Sequence, residues 1–186
     1  MWPWGHLAAG YLLYRLLTWG RAPAAIPALA VALGTQLPDL LDKPFAWTIP
    51  LLPNGRSLGH SLLLVPTVLV LALILTDGRE RRALAALTLG YVTHLATDAL
   101  YPALGGEWYY VGFLGWPLVP PIEYEGAPGG IIEHFLHFEL TAQSGFELLL
   151  FAAGATLWLL DGQPGLRLLW RTAKDGVARV RTFVRV

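Results

Sequence analysis

The stretch LGYVTHLATDAL, residues 89–100, places a histidine and an aspartate four positions apart inside an apolar run. On a helix, His94 and Asp98 therefore share one face and lie one turn apart. Polar side chains in so hydrophobic a segment must be hydrogen-bonded, paired or bound to a cation, because leaving them bare is costly. A neutral hydrogen-bonded pair that joins helices and a pair of metal ligands both satisfy this requirement.

The composition is typical of an integral membrane protein. Of the 186 residues, 55% are hydrophobic and only 14% are charged, which departs from the average of soluble domains. The formal net charge is zero, so no nucleic-acid partner is expected from bulk basicity. Cysteine is absent, which excludes disulfides and thiolate metal sites.

Five apolar runs predict an all-α, multi-pass membrane bundle of about five spans. The runs cover residues 5–19, 24–37, 59–76, 83–101 and 145–160. The third is the most continuous and, at about 27 Å as a helix, nearly matches the ~30 Å hydrocarbon core. A long aromatic extracytoplasmic loop is expected at about residues 102–130. We therefore expect a membrane-embedded domain over residues 1–162 and a basic amphipathic tail over residues 163–186.

Basic residues predict the orientation of this bundle. When the five runs cross the bilayer alternately, one side receives Arg15, Arg21, Arg79, Arg81, Arg82 and the basic residues of the tail. The other side receives only Lys43 and Arg56. By the positive-inside rule, the side rich in basic residues is cytoplasmic, so the N-terminus is expected outside and the C-terminus inside. The same threading places all five histidines at the outer side.

The tail shows the pattern of a helix that lies on an anionic leaflet. Its apolar residues share one arc, and its basic residues lie off that arc. The apolar set is Leu166, Leu169, Trp170, Ala173, Val177, Val180 and Val184, and the basic set is Arg167, Arg171, Lys174, Arg179 and Arg185.

Imidazoles and carboxylates at the outer ends of four runs form a candidate metal site. The candidate ligands are His6, Asp39 or Asp42, His60, His94 and Asp98. Such donors suit zinc, with manganese or iron where carboxylates dominate, and a metal with an open position activates water for attack on phosphorus or a carbonyl. Hydroxyls expected to orient the imidazoles belong to Ser61, Thr93 and Thr97.

Each candidate also has a structural explanation. Asp39 can cap a helix that starts at Leu40, and His6 can be a residue of the membrane interface. Glu133, His134 and His137 fit the wet face of an interfacial helix. If that helix continues through Ser144, its polar face extends to Glu147.

Five ordered blocks resemble the family of LexA-regulated, inner-membrane-associated, metal-dependent hydrolases. The blocks are residues 5–7, 37–44, 56–63, 90–100 and 115–117, which read GHL, LPDLLDKP, RSLGHSLL, GYVTHLATDAL and GWP. The family is distantly similar to the zinc-dependent phospholipase C and P1-nuclease superfamily, which is all-helical and cleaves phosphodiesters with several zinc ions. The resemblance implies ligand roles for His6, Asp39, His60, His94 and Asp98, with Asp98 able to bridge two metals.

Two positions depart from the family pattern. The two acids of the second block are three residues apart instead of two, which leaves Asp39 and Asp42 as alternative ligands. Gly55 stands where the family usually has a histidine before the arginine of the third block.

The sequence therefore predicts a membrane-bound, divalent-metal-dependent hydrolase that acts on a phosphoester of a lipid or lipid-linked substrate. Asp39 or Asp42 is expected to orient the attacking hydroxide, and Arg56 is expected to pair with the phosphate. A non-catalytic membrane structural or metal-binding protein is the alternative. A transporter is the weaker hypothesis, because the polar residues lie at one end of the bundle and line no path across it.

Overall fold

The computed structural model describes residues 1–124 and 130–184, with side chains as far as Gly176, and within these ranges the chain is all-helical, as predicted. The α-helices are α1 (Pro3–Leu17), α2 (Ala25–Gly34), α3 (Leu37–Lys43), α4 (Val65–Leu75), α5 (Gly78–Leu104), α6 (Ile131–Leu136), α7 (Ala142–Leu160) and α8 (Leu166–Val184). A π-helical turn, Pro44–Thr48, continues α3, and a 3-10 helix covers Trp108–Gly115.

Helix α5 is the centre of the bundle. It packs against α1, α2, α3, α4 and the 3-10 helix, while α7 packs against α1. At the crossing of α2 and α5, a Cβ on Gly34 would overlap the Leu87 carbonyl oxygen, and one on Gly90 would overlap the Val31 carbonyl oxygen. Glycine at both positions lets the two backbones touch. This contact brings the C-terminal end of α2 beside His94.

The outer surface of the bundle is strongly apolar. Ile74 of α4 is 71% exposed, and Leu149 and Leu160 of α7 are 72% and 80% exposed. Among the described residues, two helices are long and apolar enough to cross a bilayer, namely α5 with 27 residues and α7 with 19. A bundle of about five spans therefore stays a prediction beyond these two.

The third apolar run is less helical than predicted. Its helix begins only at Val65, and the 11 residues of α4 cover about 16 Å, roughly half of the hydrocarbon core. The preceding residues are irregular because the backbone N–H groups of Ser57, Gly59 and His60 bind the Asp42 carboxylate instead of a helical carbonyl.

The prediction that one helix continues from Glu133 to Glu147 with a shared polar face is wrong. Helix α6 ends at Leu136, and α7 starts anew with a capping box in which the side chains of Thr141 and Ser144 bind each other's backbone N–H groups.

Part of two predictions falls beyond what the structure describes. The tail is helical over α8, but the side chains of Val177, Arg179, Val180 and Val184 lie outside the described part, as does all of Arg185. Residues 125–129 of the predicted aromatic loop also lie outside the described residues.

Candidate metal centre

Three imidazoles and two carboxylates from four parts of the fold meet at one point beside α5. They are His6 of α1, Asp39 of α3, His60 of the segment before α4, and His94 and Asp98 of α5. Asp39, His6 and His94 each offer one donor atom within 4.8 Å of the others, and His60, His94 and Asp98 form a second such group. The structure thus brings together all five predicted ligands.

The donor atoms lie closest around the Nε2 atom of His60. It is 3.1 Å from Nε2 of His94, 3.5 Å from Oδ1 of Asp39 and 3.5 Å from Oδ2 of Asp98. The other carboxylate oxygen of Asp98 lies 3.2 Å from Nε2 of His6. Asp98 therefore presents its two oxygens to different imidazoles.

The Nδ1 atom of each imidazole is held by an acceptor. His94 Nδ1 donates to the Thr35 carbonyl oxygen at 2.7 Å, and His60 Nδ1 donates to Asp42 Oδ2 at 2.8 Å. His6 Nδ1 lies 2.9 Å from Thr97 Oγ1, whose own hydrogen is directed to backbone carbonyls of α5. Because these partners accept, the neutral rings carry their proton on Nδ1 and direct an Nε2 lone pair to the centre.

This arrangement of lone pairs requires a cation or a shared proton. Two Nε2 atoms face each other across 3.1 Å between His60 and His94. The buried Nε2 of His6 has no hydrogen-bond partner, although a carboxylate oxygen of Asp98 lies 3.2 Å away. Imidazoles whose second nitrogen donates to a carbonyl or carboxylate are the usual surroundings of zinc. The residues present fit a divalent ion.

The structure separates the two acids of α3. Asp42 is fully buried and accepts hydrogen bonds from the backbone N–H groups of Ser57, Gly59 and His60 and from the His60 ring. It is placed to orient His60. Asp39 is the acid of this pair that faces the ring nitrogens of the centre.

Two side-chain cations border the centre. Lys43 Nζ lies 2.6 Å from Asp39 Oδ2, and Arg56 Nε lies 2.9 Å from Asp98 Oδ2. The amino group of Met1 lies 2.6 Å from the other oxygen of Asp98. The side chains of Lys43 and Arg56 remain 18% and 29% exposed, so they mark where the buried centre reaches the surface, and this place is called the opening of the site.

These charges shift the pKa values of His60 and Asp39, two residues of the centre that lie outside the membrane-spanning helices. Burial lowers the pKa of His60, but hydrogen bonds to Asp39, Asp42 and Asp98 outweigh this effect and raise it to about 10. Burial raises the pKa of Asp39, whereas Lys43 and the neighbouring imidazoles lower it more strongly, and the net pKa lies far below its usual value. In the metal-free site, the His60 ring is therefore protonated on both nitrogens and positively charged at neutral pH.

Of the three hydroxyls expected to orient imidazoles, only that of Thr97 contacts one. The Ser61 hydroxyl donates to the Trp116 carbonyl oxygen, and the Thr93 hydroxyl donates to the Leu89 carbonyl oxygen of its own helix. These two expectations were wrong.

His134 lies at the opening and is only partly exposed, contrary to its assignment to a wet helix face. Its ring stacks on Trp2 at 4.7 Å and lies 5.2 Å from the Trp47 ring. Burial and the charge of Lys43 lower its pKa. A Cβ on Gly55 would come 3.0 Å from the Trp47 ring, so the indole fills the space beside this departure from the family pattern.

Two positioning groups were missed from the sequence. The buried Glu147 of α7 accepts from the backbone N–H of Trp2 at 2.7 Å and so fixes the start of α1, from which His6 extends. Its place in an apolar run was the signal that marked it as unusual. The Thr35 carbonyl that orients His94 gives no sequence signal, since every residue has a carbonyl.

Comparison with known proteins identifies a family. No curated protein sequence and no solved structure matches the chain. One family model, described as YdjM inner membrane protein, matches residues 1–168, which contain every residue of the cluster. The chain therefore belongs to the YdjM inner membrane protein family.

Proposed function

We propose that this protein is a membrane-embedded hydrolase that uses a divalent, zinc-type ion to cleave a phosphoester of a lipid or lipid-linked substrate. The observation that carries the proposal is the convergence of three Nε2 atoms and two carboxylates on one point, with each Nδ1 already held by an acceptor. A zinc-type ion bound there would lower the pKa of a coordinated water and so supply a hydroxide nucleophile near neutral pH. Manganese or iron suits a site with this share of carboxylates as well.

In this proposal the five central side chains hold the metal. His6, His60 and His94 would hold the ion through Nε2, together with Asp98, whose two oxygens face different imidazoles. Asp39 binds the ion or orients the nucleophile. Asp42 contributes by holding the His60 ring in its orientation, a role that differs from the direct catalytic one expected from the sequence.

The surroundings of the opening support a phosphorylated lipid-type substrate. Arg56 presents a guanidinium at the rim, and this group binds phosphate oxygens well. Beside the opening, Trp2 and Trp4 stack on each other at 5.0 Å and contact Phe138. Aromatic clusters of this kind are typical of the membrane interface, from which a lipid substrate would enter.

The proposal includes the orientation derived from the basic residues. The opening faces the outside of the inner membrane, and the tail over residues 163–186 lies on the cytoplasmic leaflet. Single cysteines at the exposed positions Leu51 and Arg79, labelled with an impermeant maleimide in intact cells, test this arrangement, since the chain has no native cysteine. Labelling at residue 51 and protection at residue 79 are expected, and the reverse pattern contradicts the orientation.

A non-catalytic role in joining helices is the second candidate. It is favoured by Lys43 and Arg56, which already neutralise Asp39 and Asp98. Under this hypothesis the cluster is a buried ion-pair network that fixes the positions of α1, α3 and α5.

The decisive experiment measures hydrolysis by the detergent-purified protein. The zinc-loaded protein is assayed against short-chain phospholipids and prenyl phosphates, with His94→Ala and Asp98→Asn as inactive variants and Arg82→Gln on the exposed start of α5 as control. Turnover that is lost in the two site variants and retained in the control supports the hydrolase. A zinc-free wild type with unchanged stability in both site variants contradicts it.

A further inference from the structure

The two carboxylates that face the centre each have a cation of their own. Asp39 is paired with Lys43 at 2.6 Å, and Asp98 is paired with Arg56 at 2.9 Å. The remaining acid, Asp42, is occupied by the His60 ring and three backbone N–H groups. Asp98 also binds the amino group of Met1 at 2.6 Å, so the bordering cations already outweigh the negative charges of the two facing carboxylates.

A divalent ion adds two positive charges to this centre, and the proton that it displaces from His60 removes one of them. Buried charge without a counter-charge is unfavourable, so the loaded centre must attract an anion or release a cation. Aromatic rings hold the two cations in place, since Lys43 lies 5.4 Å above the Trp47 ring and Arg56 lies 5.6 Å and 5.5 Å from the Phe113 and Tyr124 rings. Attraction of an anion is the way that remains to balance the positive charge left after the His60 proton has gone.

We propose that Lys43 and Arg56 form an anion subsite for the phosphate group of a soluble or lipid-linked ester, and that occupation of this subsite is thermodynamically coupled to binding of the divalent ion. The inference rests on the proposed function and adds Lys43 and a coupling that the hydrolase proposal does not require. Both side chains lie at the opening, where they are 18% and 29% exposed.

The two cations flank the same centre. The acids that Lys43 and Arg56 bind, Asp39 and Asp98, each lie 3.5 Å from Nε2 of His60. The ring of His134 lies 5.2 Å from the Trp47 ring, over which Lys43 lies at 5.4 Å, so His134 borders this space on the side of Lys43.

The coupling has a signature that separates it from a structural role. Removing a positive charge beside the metal leaves zinc affinity unchanged or higher when no phosphate is present, because a repulsive charge is lost. The same change weakens the effect of phosphate on zinc affinity. A variant that merely distorts the centre lowers zinc affinity under both conditions.

The test measures zinc affinity of the full-length, detergent-purified protein by competition with a chromophoric chelator, with and without saturating inorganic phosphate. The variants are Lys43→Gln and Arg56→Gln, and the matched control is Arg82→Gln, about 24 Å along α5 from Asp98. We expect phosphate to tighten zinc binding about tenfold in the wild type and the control, within the usual range of coupling between sites, and less than twofold in the two variants.

A second arm replaces inorganic phosphate with short-chain phosphatidic acid in the same micelles. Tightening by both ligands supports a subsite that accepts free and lipid-linked phosphate, and tightening by the lipid alone supports a lipid-linked source. Zinc binding without any coupling in the wild type, or equal coupling in all variants, overturns the subsite and leaves the metal centre intact. Absence of zinc binding overturns the proposed function and the subsite together.

Discussion

Thr97 and Thr93 allow a matched test of the imidazole orientation, because both lie on α5 and only one contacts a ring. Thr97 accepts from His6 Nδ1 at 2.9 Å, whereas the Thr93 hydroxyl donates to the Leu89 carbonyl oxygen at 2.7 Å. In Thr97→Val, a neutral His6 can move its proton to Nε2, where Asp98 accepts it. Binding of a metal at Nε2 then forces the proton back to an Nδ1 without a partner.

The magnitude follows from that unpaired donor. A buried donor without a partner costs about 1–3 kcal/mol, and this cost falls on the metal-bound state alone. Since about 1.4 kcal/mol corresponds to a factor of ten, zinc affinity should fall roughly 5- to 150-fold in Thr97→Val. Thr93→Val should bind zinc as the wild type does.

The assay is competition against a chromophoric chelator in detergent, together with thermal unfolding of the metal-free proteins. Both variants should lose similar stability without metal, because each loses one hydroxyl. Equal zinc affinity in the two variants would refute the assignment of the His6 proton to Nδ1 and of Nε2 to the metal.

Three further predictions concern the support of the centre. In Asp42→Asn, the amide oxygen can keep the three donors that bind Oδ2, but the N–H of Gly59 then faces an amide NH2 group without an acceptor. This substitution should lower the free energy of unfolding by about 1–3 kcal/mol, measured by denaturant titration with exposed Asp77→Asn as control; a loss as small as in the control contradicts the role. Because the pKa of His60 is raised to about 10, zinc must displace a proton from this ring when it binds. Zinc affinity should therefore rise about tenfold per pH unit from pH 7 to 9, and an affinity that does not change with pH would contradict this role of His60. Gly90→Ala should lower the free energy of unfolding by about 1–3 kcal/mol, because the added methyl group forces α2 away from α5. Gly145→Ala, with open space around it, should cause no such loss, and equal thermal stability of the two variants would be inconsistent with the close crossing.

Much of the cluster could be predicted from the sequence, because polar residues in apolar runs are rare and their helical spacing assigns them a face. His94 and Asp98 were recognisable in this way, and the alternation of runs placed His6 and His60 at the same end. The choice between Asp39 and Asp42 could not be made, because it depends on the loop whose N–H groups bind Asp42. Such backbone donors leave no trace in side-chain patterns.

The helix boundaries were less predictable for a related reason. The apolar run that contains α4 has the composition of a spanning helix, yet its first residues serve the centre through their backbone groups. Conversely, α7 starts after Thr141, a residue type that is favoured at the N-cap of a helix. Among the described helices, only α5 and α7 are long and apolar enough to cross a membrane. Whether the shorter helices also cross depends on the surrounding bilayer.

The most direct test of the metal centre is zinc K-edge X-ray absorption of the purified full-length protein after equilibration with zinc. We predict about one or two ions per chain, with nitrogen and oxygen ligands at about 2.0–2.1 Å and the outer-shell scattering of about three imidazoles, lost in His94→Ala. A protein that retains no zinc, or zinc without imidazole scattering, would contradict the central claim.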